Sequence, residues 1–200
     1  METEFAVAGT SYAWLVEPPS WTVEGSAVVA TAAARTDVFR SPFGEAPRED
    51  AARALTPPPG EEWQLTARLR VDFGASWDAG GLLVHADEHT WAKITFERSP
   101  DGVPTLYSVV TRDGRSDDAI GPAADADAMW LRLSGFDGGC AMHHSTDGRN
   151  WRLLRQFTLG APRPVGVGLV VQSPIGAGCR VRFDDISLDA TRLAHLYDGR

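Results

Sequence analysis

Over residues 63–73, and again at 82 and 84 and at 94 and 96, apolar side chains recur at every second position, and no feature of the chain narrows its fold more. Trp63, Leu65, Ala67, Leu69, Val71 and Phe73 alternate with Gln64, Thr66, Arg68, Arg70 and Asp72, the pattern of a strand with one face in a core. Leu82 and Val84, then Ile94 and Phe96, keep that period on either side of a polar Ala-Asp-Glu-His connection, so residues 77–97 read as two joined strands. Successive strand side chains leave opposite faces of a sheet. His85, Trp91, Lys93, Thr95 and Glu97 are therefore expected to share the face turned away from the core.

The same spacing predicts strands over 12–16, 26–34, 105–112, 129–136, 140–145, 151–157, 165–172 and 179–188. Residues 50–55 read as a short strand or a helical turn. The stretch carrying Ser116, Asp117, Asp118, Gly121 and Pro122 reads as a loop, and Asp189 as the cap of a short C-terminal helix bearing Leu193 and Leu196. Pro57-Pro58-Pro59-Gly60 is too short for an interdomain linker and reads as an inter-strand loop. About a dozen strands broken by regular turns imply an all-β sandwich of two antiparallel sheets. A single domain over residues 1–200 is expected, with its core at about 12–188.

Composition removes several function classes. A formal net charge of -8 without a basic stripe argues against a nucleic-acid partner. The start, Met-Glu-Thr-Glu, has neither a positive region nor an apolar run, so no secretory signal or membrane partner is expected and the cytoplasm is the expected location. Cys140 and Cys179 sit in register with apolar neighbours, which favours buried thiols over a disulfide. Neither zinc-ligand spacing nor a Gly-rich phosphate loop is present, so no metal or cofactor is expected.

Several short motifs in order, Thr36-Asp37-Val38-Phe39, Trp77-Asp78-Ala79-Gly80-Gly81, Trp91-Ala92-Lys93 with Glu97, Ser108-Val109-Val110-Thr111, Ser116-Asp117, Trp130-Leu131-Arg132, Ser145-Thr146-Asp147-Gly148 with Trp151, and Ser173-Pro174, resemble domain-of-unknown-function family 1349. The resemblance covers about residues 12–188, and members of that family are also described as similar to a "regulation of enolase" protein. It implies a concanavalin A-like lectin/glucanase jelly roll with ligands across a concave sheet, and it brings no established reaction. Ala79 stands where the family usually has Gln, and Asp118 where a Trp commonly follows Ser-Asp.

Lys93 and Glu97 lie four residues apart, roughly 13 Å along a strand, so a compact ionic network needs Asp37 or Arg132 from elsewhere. Such a network serves equally as structure or as a binding site. Trp77 and Trp91 are candidate sugar platforms, since a flat ring matches the C–H face of a pyranose; core packing is the competing use. His85 reads as a strand-end histidine or a general base. The ligand-binding set is Asp37, His85, Trp91, Lys93, Thr95, Glu97, Thr111, Asp117 and Arg132.

Three functions fit. The first is a lectin-like module for a carbohydrate or similar polar small molecule. The second is a sugar-active enzyme using Glu97 with Asp117, although the acidic strand cluster of related glucanases is missing and the balance leans away from catalysis. The third is a protein-interaction or metabolic-regulatory domain.

Overall fold

The computed structural model describes residues 3–160 and 163–200; Met1 and Glu2, part of the chain start considered above, lie outside the described residues. Its strands are β1 (Glu4–Val7), β2 (Thr10–Val16), β3 (Ser20–Glu24), β4 (Ala27–Thr31), β5 (Val38–Phe39), β6 (Arg48–Glu49), β7 (Ala52–Thr56), β8 (Trp63–Asp72) and β9 (Ala79–Asp87). There follow β10 (Thr90–Arg98), β11 (Pro104–Arg112), β12 (Arg115–Ala123), β13 (Met129–Phe136), β14 (Gly139–Ser145), β15 (Arg152–Phe157), β16 (Gly166–Gln172) and β17 (Arg180–Asp189). One sheet has eight strands in the order β1-β2-β7-β16-β9-β10-β11-β12, and the other seven in the order β15-β14-β13-β8-β17-β4-β3. Every ladder is antiparallel.

The period-two reading places the core correctly. Leu65, Leu69, Leu82, Val84, Ile94 and Phe96 are all buried in the cluster between the two sheets. At about 25 cal/mol per Å² of apolar area, each large side chain there favours the fold by about 2–3 kcal/mol relative to exposure. Cys140 and Cys179 are free, buried thiols, and burial pushes each pKa up to about 12.

Three expectations are corrected. The expected strands are short by two at the start: β1 precedes the first of them, and edge strand β3, which carries Trp21, lies between the first two. Residues 115–123 form β12, a full edge strand; exposure on its free side permits Asp117, Asp118 and Pro122, residues that usually mark a loop. Asp189 ends β17 instead of capping a helix, and the residues beyond it run through turns with Leu193 buried. A helix so short has little intrinsic stability, and the seven-stranded sheet anchors this tail better: His143 Nε2 is 2.6 Å from the Leu196 carbonyl. No helix among the described residues is long and apolar enough to cross a membrane.

Between β4 and β7 the chain leaves the sandwich and lays the β5–β6 hairpin over the outward face of the eight-stranded sheet. Backbone bonds tie it at two places: Thr36 exchanges hydrogen bonds with Ser173 beyond β16, and Ser116 N on β12 donates to the Arg40 carbonyl at 2.8 Å. Arg40 N returns a bond to Ser116 Oγ at 3.0 Å. Beneath the hairpin, Val38, Ala51, Leu83, Trp91, Val109 and Val170 form a second, smaller core.

Candidate functional site

β10 supplies the middle of the outward face. Trp91, Lys93, Thr95 and Glu97 share it by strand parity, beside His85, Leu83, Gly81 and Ala79 of β9 and Thr111, Val109, Tyr107 and Thr105 of β11. Gly81 is required at its place. A Cβ there would lie 2.4 Å from the Ile94 carbonyl oxygen and 2.8 Å from the Thr95 methyl.

Lys93 is 2% exposed and lies under the hairpin. Its Nζ donates to Val38 O at 2.7 Å, Gln172 Oε1 at 2.7 Å and Asp37 Oδ1 at 3.2 Å. An ammonium has three N–H groups. All three are committed within the protein, so Lys93 fastens the cover to the sheet and has no donor left for a ligand.

Glu97 differs. The residue is 6% exposed; Thr95 Oγ1 donates to Oε2 at 3.0 Å, while Oε1 receives no hydrogen bond among the described residues and is not among the polar atoms sealed off without a partner. Burial lifts its pKa to about 8; Lys93 and the Thr95 bond oppose the rise, and Asp37 and Asp118 add to it. Near neutral pH it is therefore mostly a carboxylic acid. Asp118, exposed at the rim, is also raised, first by partial desolvation and then by neighbouring carboxylates, with Lys93 opposing.

The aromatic edge of the face comes from Trp77 and Tyr107, whose rings meet edge-on with centroids 5.7 Å apart. Trp77 is half-buried and has φ of 71°, an unusual conformation for a bulky residue, held by its N–H bond to the Arg98 carbonyl at 2.7 Å. Asp78, also in the Trp77-to-Gly81 motif, is wholly buried and structural. It accepts bonds from Gly74 N and Ala75 N at 2.8 Å each and from Ser173 Oγ at 2.6 Å. Beside the hairpin lies an open cleft of about 580 Å³, bordered by Phe39, Pro42, Phe43, Glu45, Asp117 and Asp118.

The expected residues thus divide. Asp37, Lys93, Thr95 and Glu97 come together. Trp91 is 1% exposed inside the smaller core, with no surface for a sugar to stack on. Thr111 is buried under the hairpin root, bonded to Ser116 Oγ at 2.8 Å. His85 lies beside Trp91, about 20 Å of strand from Glu97, and burial followed by Arg53 lowers its pKa. Asp117 faces the other way from Asp118, pairing with Arg155 at 3.2 Å. Arg132 belongs to the other sheet: its guanidinium lies 3.8 Å from the Trp151 ring centroid, with bonds to Thr66 Oγ1 at 3.1 Å and to the Gly199 carbonyl.

Reasoning from residues alone omitted Gln172, Tyr107 and Asp118 from the set. Parity along β16, β11 and β12 was the available signal, once β12 is recognised as a strand. Among the described residues no group of acidic, His or Cys side chains is spaced to hold a metal.

Comparison with known proteins agrees with this architecture. "Regulation of enolase protein 1" of Saccharomyces cerevisiae is 30% identical over 186 residues, covering 92% of each chain. The crystal structure of a functionally unknown protein from Saccharomyces cerevisiae superposes with a TM-score of 0.81 at 27% identity, over 89% of this chain and 95% of that one. Fold alone is shared with the GH43 protein BlXynB (K247S mutant) of Bacillus licheniformis, at TM-score 0.73 and 12% identity, over 90% of this chain and 37% of that one. The carbohydrate binding module CBM66 of Bacillus subtilis likewise shares it, at TM-score 0.57 and 13% identity over 88% and 94% of the two chains. These likenesses are to concanavalin A-like jelly rolls. With the family described as "Protein of unknown function (DUF1349)" matching residues 14–191, nearly the whole sandwich, the chain belongs to the DUF1349 family.

Proposed function

We propose that the protein is a lectin-like module binding a carbohydrate or similar polyhydroxylated small molecule on the outward face of its eight-stranded sheet. The observation that carries this reading is Glu97, a largely buried carboxyl whose one hydrogen bond among the described residues comes from Thr95, on the face that also holds Asp37, Asp118 and the Trp77–Tyr107 edge. An oxygen with no protein donor that is not sealed from solvent is open to a ligand hydroxyl. Trp77 offers a half-buried ring for stacking, the part that Trp91 cannot play. Fold-level likeness to a carbohydrate binding module and to GH43 proteins supports the ligand class without establishing it.

A thermal-shift screen against neutral, basic and acidic oligosaccharides tests this. A hit should raise Tm in the parent chain and be lost or strongly reduced in Trp77→Ala and Glu97→Gln. Silence across the whole panel would overturn it, and recovery of a stoichiometric protein partner instead would favour the regulatory role suggested by the yeast relative's name.

A sugar-active enzyme is the second reading, favoured by one observation: Glu97 holds a proton near neutral pH while Asp118 lies on the same face. A protonated carboxyl with a second carboxyl on the same face is the kind of pair that acid–base hydrolysis of a glycoside uses. Turnover of a glycoside by the parent and not by Glu97→Gln would establish that reading.

A further inference from the structure

We infer that residues 190–200 form a strap that acid releases: His143, as a neutral ring, latches them to the outward face of the seven-stranded sheet, and a proton on that ring lets them go. The strap is held along its length. Near its start Gln64 Nε2 donates to Thr191 Oγ1 at 3.2 Å, Arg192 pairs with Glu62 and Asp137, and Leu193 is buried. Farther on the grip passes through backbone carbonyls. Leu196 O lies 2.6 Å from His143 Nε2, Tyr197 O accepts from Leu153 N at 3.4 Å, and Gly199 O accepts from Arg132 Nη1. Gly199 sits so close that a Cβ there would lie 2.6 Å from Trp151 Cβ and 3.3 Å from His143 Cδ2.

A carbonyl only accepts, so the Leu196 contact fixes the proton of the neutral ring on Nε2 and leaves Nδ1 as a bare lone pair. His143 is 0% exposed, and Nδ1 is sealed with no protein group in reach. A second proton would place a charged N–H where nothing accepts it. The surrounding groups do not rescue it. Arg132, its cross-strand neighbour on β13, repels the cation; Asp198 on the strap attracts it but is paired with Arg200; His144 turns to the opposite face of β14, His195 is exposed, and β15 brings Leu153. Burial is the largest influence and lowers the pKa of the ring from the ordinary 6.5; the Leu196 bond and Asp198 oppose it, and Arg132 reinforces it. Ser134 Oγ, on the same face opposite Gln64, is also sealed without a partner, so docking strands two polar atoms and leaves the strap a thin margin. Once lifted, the ring regains its ordinary proton affinity. Docking is therefore complete above about pH 6.5 and weakens as pH falls, by up to about tenfold per pH unit, until the lower value of the docked ring is reached. Release bares the Arg132 guanidinium on Trp151 and the outer edge of β15.

Leu153 is the reporter, because it lies on edge strand β15 and its N–H is spent on the strap. Amide hydrogen exchange of the full chain, followed by NMR and divided by the intrinsic rate at each pH, should show steady Leu153 protection above about pH 7. Protection should fall by up to about tenfold per unit from about pH 6.5 to about pH 5, while amides of β8 and β13 keep theirs. The ring nitrogen shifts of His143 should show the Nε2–H tautomer at neutral pH and titrate over the range in which Leu153 loses protection. His143→Gln, whose amide can still donate to Leu196 O, should remove the pH dependence, and His195→Gln should keep it. Gly199→Ala should lower Leu153 protection at every pH. Flat Leu153 protection down to about pH 5, a loss shared in step by β8 and β13, or the same pH dependence in His143→Gln would each overturn the latch. Should His143→Gln fail to fold, the parent decides alone: a His143 titration that does not track Leu153 exchange overturns it, and one that tracks it upholds it.

Discussion

Lys93 and Arg132 are both cations on the outward face of a sheet, and each is roofed by chain from elsewhere, but the two roofs leave different remainders. Over Arg132 the roof is the C-terminal tail, which supplies the Gly199 carbonyl; the guanidinium face rests on Trp151, and no uncommitted buried carboxyl remains beside it. Over Lys93 the roof brings the Asp37 carboxylate and the Val38 carbonyl, and the same face also holds the Glu97 and Asp118 carboxyls. Two roofed cations, one buried and one half-buried, therefore mark two kinds of place. Around Arg132 the cation is held by ring, hydroxyl and carbonyl, whereas around Lys93 the face keeps more carboxyls than cations.

The sharpest way to break the comparison is Lys93→Met. It leaves Asp37 and Gln172 without their shared donor under the hairpin, and losing one partner of a buried ion pair should cost about 3–5 kcal/mol in chemical denaturation. If the loss were under about 1 kcal/mol, Lys93 would not be the fastening described. Arg132→Ala should cost about 1–2 kcal/mol through lost stacking and hydrogen bonds, and should make the tail beyond Asp189 a faster target for limited proteolysis. Ligand binding should be untouched by it.

A pH series then separates the two regions. The Glu97 carboxyl rises from an ordinary value of 4.5 to about 8 in the folded chain, so between those limits the fold keeps a proton that the unfolded chain has shed. Its contribution to stability is complete below the lower value, declines as pH rises and is gone above the upper one. The slope is at most about 1.4 kcal/mol per pH unit. Glu97→Gln should flatten that decline in denaturation curves, and an unchanged slope would remove Glu97 as its source. The smallest effect is expected from Asp117→Asn. An exposed pair with Arg155 contributes at most about 0.5 kcal/mol, and the side chain faces away from the site, so stability and sugar binding should both stay near the parent values.

Parity made much of this readable before any coordinates. Alternation around Ile94 and Phe96 set which side of β10 carries Lys93, Thr95 and Glu97, and opposition to Leu131 and Leu133 set that Arg132 points outward. Parity says nothing of which sheet a strand joins. Arg132 was consequently grouped with residues on the opposite side of the sandwich. The roof was equally hidden: Thr36 bonding to Ser173, and Arg40 to Ser116, are pairings between distant residues that no local period encodes, and they decide that Trp91 is core and Lys93 is enclosed. β12 escaped because an edge strand needs little burial, and its polar, Pro-containing composition looked like a loop. That omission turned attention to Asp117 when its neighbour Asp118 shares the face with Glu97.

The roof over Lys93 is a single continuous excursion between β4 and β7, and no ladder of either large sheet runs through it. Its length and composition are thus free to diversify without shifting the register of the sandwich. Relatives that superpose closely over their sheets are then expected to diverge in selectivity at this segment first. Transplanting a foreign version of residues 36–51 onto the same scaffold is the natural engineering route to a new preference.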